Sequence, residues 1–596
     1  MQVSQTHHHD IPPLPRPLRL TLPVLLFCFA LNLPFVLPWH SLPFPSFSSE
    51  FTAYILGLVA VLSLLIAHRN IATIALPRSI LTPIFLMLLV LVQWSGGYFA
   101  YASNAILTLI VAVWLGLLMI AGANLKTVYG LPNTVTAFAY SIMLGTVVSA
   151  MIGIVQFSGY AEYFAGLLAS PMPLAESGVY GNIAQQNHYA SYLAFGIGAV
   201  SYLRLKRQIS SLFTLAIVIL LISGLFLSAS RSAYIYVFGF SLIALGLRVS
   251  SWTAKERSRL YLILIFGSGL ILLVGWVLVS QGIMLPQLQR LFSLSESVGT
   301  RLFLWQHSIW MVQDSPLLGV GWDAFAWKLT EQIGLGNTPN VWGVDQYAHN
   351  IILQLLATTG VLGLLLISAP LVLSISWQSW RQWSSERIFV VALLAVLLIH
   401  SLLEQPLYFA YFSIYGAILM GFVDSKPCLI RWGRLQMVLL SLCVLVLLCF
   451  AAYLGSRYKQ FEALFNHTNT NLGHAKQVDE QLQSLHHVQI LKPLVEGYAP
   501  ELIVPHESSV KEKLALNQRL IRFAPLPENM YRHAALLAEN GQLDEAQHQL
   551  RKSILVYPNL ATNYLERYRA LAAENPALYA ELAIFMEQEI DLYLKK

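Results

Sequence analysis

Runs of roughly 20 apolar residues recur along this chain to about Leu454, and each is long enough to cross the hydrocarbon core of a bilayer as a helix. Lipid offers no hydrogen bonds, so each run must satisfy its own backbone, which an α-helix does. Of the 596 residues, 56% are hydrophobic and only 11% charged, a balance that excludes a string of water-soluble domains. The windows place spans near 18–38, 51–67, 80–94, 103–122, 131–157, 188–203, 210–228, 233–248, 260–281, 350–375, 388–404, 407–424 and 436–455, thirteen in all.

The loops test that count independently. With a cytoplasmic amino terminus, one set of loops carries seventeen Lys and Arg, from Arg16 and Arg19 through Lys126, Arg204 and Arg257 to Arg434. The opposite set carries four: Arg231, Arg290, Arg301 and Lys328. Cytoplasmic loops hold the excess of cations, so thirteen spans put both the 282–349 loop and the tail on the outer face. The formal net charge of +6 thus reports topology and not nucleic-acid binding. The first apolar run follows a Pro-rich basic stretch without a small-residue cleavage site and reads as a retained span. His7-His8-His9-Asp10 falls in the cytoplasmic tail, where metal binding is the lesser reading. None of the four cysteines, Cys28, Cys428, Cys443 and Cys449, lies in an exported loop, so neither disulfides nor zinc are expected.

Five segments follow: a cytoplasmic tail (1–17), a first membrane bundle (18–281), an outer loop (282–349), further spans (350–455) and an exported domain (456–596). From Arg457 the composition turns polar, and fifteen of the 36 basic residues lie beyond that point. Ala534, Gly541, Ala546, Leu550, Ile554 and Pro558 follow the spacing of a tetratricopeptide-like helical hairpin turning at Asn540-Gly541. One such repeat is too few for a solenoid. The domain is read as a small helical unit, either without a ligand of its own or docking a protein partner.

Ionisable groups near lipid are costly and mark functional sites by default. Four outer elements carry them. Glu176 to His188, with Gly181-Asn182 and Gln185-Gln186-Asn187-His188, forms a tight amide-rich entry to a span, or simply caps it. Ser228-Ala229-Ser230-Arg231-Ser232 sets one guanidinium among hydroxyls, suited to phosphate oxygens or to snorkelling. Arg301 to Gln313 reads as a helix ending at Asp314-Ser315-Pro316, with Gly319 and Gly321 in a turn close to backbone. Arg301 is expected in the first helical turn, where a cation opposes the helix dipole. Asp345 to Asn350 precedes a span, and His349 has the ordinary pKa of ~6.5 that suits proton transfer at neutral pH. Glu404-Gln405-Pro406-Leu407-Tyr408 makes a tight outer turn between two late spans. Glu404 there is a rival base, and His400 sits on its helical face to pair with it.

The Arg301 to Gly321 stretch and His349-Asn350, followed by Leu353-Gln354 and Gly360-Val361-Leu362-Gly363, resemble the signature region of the bacterial O-antigen ligase and polymerase superfamily. The Gly181-Asn182 and Gln186-Asn187-His188 element resembles the amino-terminal motif of the protein O-oligosaccharyltransferases, the pilin-glycosylation ligases, although Gln186 stands where a Pro is common. The resemblance implies an all-α, GT-C-like bundle in the bacterial inner membrane with a periplasmic helical domain. It implies transfer of an oligosaccharide en bloc from undecaprenyl pyrophosphate to Ser or Thr of a periplasmic protein such as pilin. His349 and Arg301 are then the catalytic residues, and Arg231 meets the pyrophosphate. Gln185, Gln186, His188, Tyr408 and Glu404 contact donor or acceptor. Inversion at the anomeric carbon, no metal and no cofactor are expected. A ligase to lipid A or an O-antigen polymerase is the alternative. A transporter of lipid-linked glycans fits less well, because the charge gathers in loops at one face and no internal repeat is visible.

Overall fold

The computed structural model describes residues 20–68, 73–169, 178–232, 235–236, 295–336, 340–375, 384–468, 475–498 and 509–593. The expected span 260–281 lies outside these residues, as does all of 233–248 except Ile235 and Tyr236, and the other eleven expected spans fall on helices. The first seven helices are α1 (Leu22–Val36), α2 (Phe47–Ala67), α3 (Leu81–Ser95), α4 (Ala102–Tyr129), α5 (Leu131–Phe157), α6 (Gln186–Leu205) and α7 (Ser211–Leu227). The outer loop contributes α8 (Ser295–Asp314) and α9 (Phe325–Gly334). Then come α10 (Ile351–Ser374), α11 (Ser385–Ser401), α12 (Ala410–Val423) and the long α13 (Arg434–Thr468). Among the described residues six helices are long and apolar enough to cross a membrane, which makes this a membrane protein.

The helical content fits the all-α expectation, with one small sheet added to it: β1 (Thr73–Leu76) pairs antiparallel with β2 (Cys428–Arg431). The Arg78–Asp424 ion pair at 2.8 Å joins the same two loops. Two extended connections anchored side by side satisfy one another's backbone, which a window of apolar composition does not register. One expectation needs correction: α8 begins at Ser295, so Arg301 sits in the second turn and the dipole argument at the first turn falls away. The last apolar run ends near Leu454 but its helix does not: α13 continues to Thr468, because the polar residues after the span are themselves good helix formers.

The core beneath the site is aromatic. Phe35 stacks on Tyr192 with ring centroids 4.0 Å apart and meets Tyr411 and Phe412 edge-on at 5.2 Å each. The Tyr192 hydroxyl donates to Asn32 Oδ1 at 2.9 Å, which satisfies a polar pair inside the bundle. These rings fix α1, α6 and α12 around a common axis, and the outer ends of α6 and α12 frame the site.

The tail comprises α14 (Ala475–His486), α15 (Lys492–Tyr498), α16 (Val510–Phe523), α17 (Pro527–Glu539), α18 (Leu543–Val556), α19 (Ala561–Glu574) and α20 (Pro576–Tyr593). α17 packs on α18 across Asn540-Gly541, where Gly541 has φ +78°, and α19 pairs with α20. The tail does not hang free of the membrane bundle. Its Ile521, Met530 and Val556 share one apolar cluster with Leu304, Phe325, Leu329 and Ala348 of the outer loop. Tyr101 Oη donates to the buried Glu496 at 2.6 Å, tying the α3–α4 turn to the tail as well.

Candidate active site

The amide-rich segment before α6 is a pinned loop. Gln156 brackets Gly181, accepting from its N–H and donating to its carbonyl, each at 2.9 Å. Asn182 Nδ2 donates to the carbonyls of Val36 at 2.8 Å and Leu167 at 2.9 Å, while its Oδ1 accepts from Ala169 N. Asn182 is therefore a staple between three segments. Gln185 caps α6, accepting from His188 N at 2.6 Å, and Gln186 Nε2 donates to Gly178 O at 3.0 Å. These amides serve the loop, as the capping alternative foresaw, yet they also aim the next residues.

What they aim at is Glu404. Gln185 Nε2 donates to its Oε2 at 3.1 Å, and Asn187 Nδ2 donates to its Oε1. Ser230 Oγ in turn donates to Asn187 Oδ1 at 2.5 Å and meets Ser232 at 2.8 Å. Behind the carboxylate stand two buried imidazoles. His400 Nε2 is 3.6 Å from Glu404 Oε2, so the expected i,i+4 pairing is present. Its Nδ1 lies 2.8 Å from Ser191 Oγ. His188 Nδ1 lies 2.9 Å from Tyr411 Oη. Hydroxyls thus hold both rings by Nδ1, which leaves each Nε2 for other work. Among the described residues His188, His400 and Glu404 are the set whose ligand atoms, all within 4.8 Å of one another, could hold a metal ion.

The second half of the site comes from the outer loop. Gly319 at φ +68° and Gly360 at φ +67° let the 315–321 turn lie against α10, with Val320 N on Ala357 O at 2.8 Å and Val361 N on Pro316 O at 2.9 Å. A Cβ on Gly360 would stand 2.2 Å from Leu317 O. The expected close-backbone turn is present, and it interrupts α10 at Gly360. Gln93 fastens this junction, donating to Leu318 O and Thr358 O at 2.9 Å each. Asp323, one of the ionisable residues of the loop, takes the Asn104 amide, and burial pushes its carboxyl up to about 6. It ties the loop to α4.

His349 precedes the α10 cap Asn350, whose Oδ1 accepts from Ile352 N and Leu353 N. Its backbone is left-handed at φ +49°, a conformation uncommon for a non-glycine residue and a pointer to function. His349 Nε2 lies 2.7 Å from Asp345 Oδ2. Burial works against a charged ring, but the Asp345 hydrogen bond and charge, with Glu404 nearby, outweigh it and hold His349 above the ordinary histidine value. Arg301 is half-buried, and its guanidinium is drawn below its usual value by burial and by the charge of Arg231, against the pull of Glu404. Each of these shifts requires proximity. Arg231, Arg301, His349 and Glu404 therefore lie close enough to feel one another's charge although they come from separate stretches of chain.

Tyr408 lies in the 3₁₀ turn Pro406–Tyr408, its ring 4.7 Å from Tyr347 and 6.0 Å from Trp322. Asn187, Ser230 and Asp345 had not been singled out as site residues. Asp345 carried a signal in its place four residues before His349. Asn187 and Ser230 carried none beyond polarity, since their partners are distant in sequence.

Residues 216–368 match the family described as O-antigen ligase, and residues 388–569 match the family described as virulence factor membrane-bound polymerase, C-terminal. The chain is 24% identical over 544 residues to the general O-oligosaccharyltransferase of Acinetobacter baylyi, covering 88% of this chain and 91% of that protein. It is 23% identical over 383 residues to the ComP-specific O-oligosaccharyltransferase of the same organism, covering 62% and 66%. With its membrane helices and its cationic mouth, the chain is a membrane-bound glycosyltransferase. Its similarity is to O-oligosaccharyltransferases and to the O-antigen ligase family.

Proposed function

We propose that the protein transfers an oligosaccharide en bloc from undecaprenyl pyrophosphate to Ser or Thr hydroxyls of periplasmic proteins such as pilins. The observation that carries this reading is the convergence of Arg231, Arg301 and the Asp345–His349 pair at one mouth. A sugar pyrophosphate is already a good leaving group, so the chief demand is for fixed cations where negative charge develops. Arg231 and Arg301 supply them. In the neutral ring, Nε2–H donates to Asp345 and Nδ1 is left to accept a proton. His349 Nδ1 takes the proton of the acceptor hydroxyl as its oxygen attacks the anomeric carbon. The new glycosidic bond forms as the bond to the pyrophosphate oxygen breaks, and the pyrophosphate leaves with both electrons. One in-line displacement inverts the anomeric centre.

Glu404, held by Gln185 and Asn187, and the Tyr408 ring are polar and aromatic surfaces suited to sugar hydroxyls and faces. Gln186 and His188 support them from behind. No step is assigned to a metal, because the guanidinium groups already meet the pyrophosphate. With an amino terminus in the cytoplasm, this mouth and the tail face the periplasm. The tail, sharing a core with the catalytic loop, is placed to orient an acceptor polypeptide.

The polymerase-family match over 388–569 favours a second reading, in which the acceptor is a glycan or lipid A. The test is a Gram-negative host lacking its own ligase, given a lipid-linked glycan and a candidate pilin. Mass spectrometry then follows sugar on protein and on lipid A. Glycan on Ser or Thr, lost in His349→Ala, is the expected result. Glycan on lipid A alone would overturn the protein-acceptor reading.

A further inference from the structure

On the flank of the bundle, α5 carries an exposed apolar stripe: Leu144, Val148, Met151, Ile154 and Phe157. α5 is long and apolar enough to cross a membrane, and an exposed stripe on a spanning helix meets hydrocarbon. The stripe does not end with the helix. Gly159, left-handed at φ +78°, turns the chain out of α5 into the 3₁₀ turn Tyr160–Phe164. Tyr160, Tyr163, Phe164 and Leu167 are all exposed there, Tyr163 by 82% and Leu167 by 69%. Large apolar side chains gathered this closely form a patch that water disfavours and that marks an interaction surface. Between Ser158 and Leu168 the only charged residue is Glu162.

The backbone of this hook finds many of its partners within the protein. Leu167 N and Leu168 N both donate to Phe164 O, at 2.9 and 3.1 Å, and Ser158 N donates to Ile154 O at 2.9 Å. Asn182 accepts from Ala169 N and donates to Leu167 O. A segment whose backbone is satisfied from within loses less on leaving water. Asn182 also draws in a second loop. Its carbonyl lies 2.6 Å from His40 Nε2, and Trp39 and Leu42 of that loop are exposed as well.

We propose that the 158–168 hook lies in the headgroup layer of the bilayer, with Tyr160, Tyr163, Phe164 and Leu167 set into one leaflet beside Trp39. Its partner is the lipid surface itself. Continuity favours lipid over a protein partner, because the patch prolongs the lipid-facing stripe of α5 with no charge between them. Tyr and Trp, moreover, concentrate where a membrane meets water. Through Asn182 and Gln156 the hook holds the segment that carries Gln185 and Asn187 to Glu404. The lipid surface thereby sets the depth of the candidate site. The inference rests on the chain spanning a membrane and is independent of which acceptor the enzyme uses.

The test places photoreactive p-benzoylphenylalanine at position 163 of the full-length protein in phospholipid nanodiscs. After irradiation, peptide mass spectrometry weighs what has been captured. The expected result is a phospholipid adduct at 163, repeated with the probe at 167, and none with the probe in place of Ile584, an exposed apolar residue of the tail. Hydroxyl-radical footprinting of the wild-type protein in the same nanodiscs needs no variant. Tyr160 and Tyr163 should be spared while exposed tail residues are oxidised. Adducts to protein alone, no adduct at either hook position, or oxidation of Tyr163 as fast as the tail would each overturn the proposal.

Discussion

The two halves of the mouth are built on opposite principles. On the bundle side, His400 is fully buried and Glu404 is 14% exposed, and the side chains around them are tied to one another by hydrogen bonds. On the loop side, His349 is 28% and Asp345 38% exposed, and the backbone carrying the histidine is left-handed. A buried, hydrogen-bonded cluster holds its geometry but resists changes of charge. A half-exposed imidazole with one oriented nitrogen is free to exchange protons. In the proposed reaction, positioning and recognition fall to the bundle side and proton transfer to the loop side.

The sharpest way to break that division is to remove the loop-side groups. His349→Ala should lower transfer by roughly 10²–10⁴-fold, the usual worth of a positioned base, with membrane insertion intact. Arg301→Ala should cost roughly 10²–10³-fold by loss of charge stabilisation. Both are read as glycosylated acceptor by mass spectrometry, and full transfer by either variant would remove it from the site.

Glu404→Gln is expected to act more mildly, about tenfold, mainly as a raised KM for donor or acceptor, since it weakens recognition of the substrate. If it lowers kcat as far as His349→Ala does, the bundle side carries chemistry and the division fails. A chelator should leave activity unchanged. Loss of transfer that a divalent ion restores would assign that ion to His188, His400 and Glu404.

The pH profile sharpens the loop side further. With His349 as the base, activity rises as pH climbs through its raised pKa, because only the neutral ring accepts a proton. Asp345→Asn removes the partner that raises that pKa, so the acid limb should move to lower pH while the maximum falls by about tenfold. An unmoved limb would show that Asp345 has no hold on the titrating group.

The smallest effects are on stability. Gly360→Ala places a methyl group against Leu317 O in a left-handed backbone and should cost about 2–3 kcal/mol. Lys552→Ala breaks the ion pair between the tail and Glu331 of α9 and should cost about 1 kcal/mol or less, Glu331 being solvent-accessible. Thermal unfolding followed by tryptophan fluorescence reads both.

Much of the site was legible because its residues stand in short polar segments between apolar runs. His349, Arg301, Arg231 and Glu404 declared themselves by being ionisable where such groups are costly. Gln186 shows the limit: its amide reads as a ligand group, yet it bonds Gly178 within its own loop. Asn187 shows the converse, its importance resting on Glu404, more than two hundred residues away. The tail misled in another way. Its hairpin spacing is local and visible, but the apolar side chains with which it grips the outer loop look like ordinary core residues of a separate domain.

The sequence by itself determined that the chain lives in a membrane and that its ionisable groups gather in short segments between apolar runs. Those properties follow from apolar run length and from the cost of charge near lipid, both set within a few residues. Only the tertiary structure decided that Asn187 meets Glu404, that Arg231 lies near Arg301, and that the tail packs against the segment carrying α8 and α9. Those are choices among many compatible partners, fixed by the packing of helices far apart in the chain.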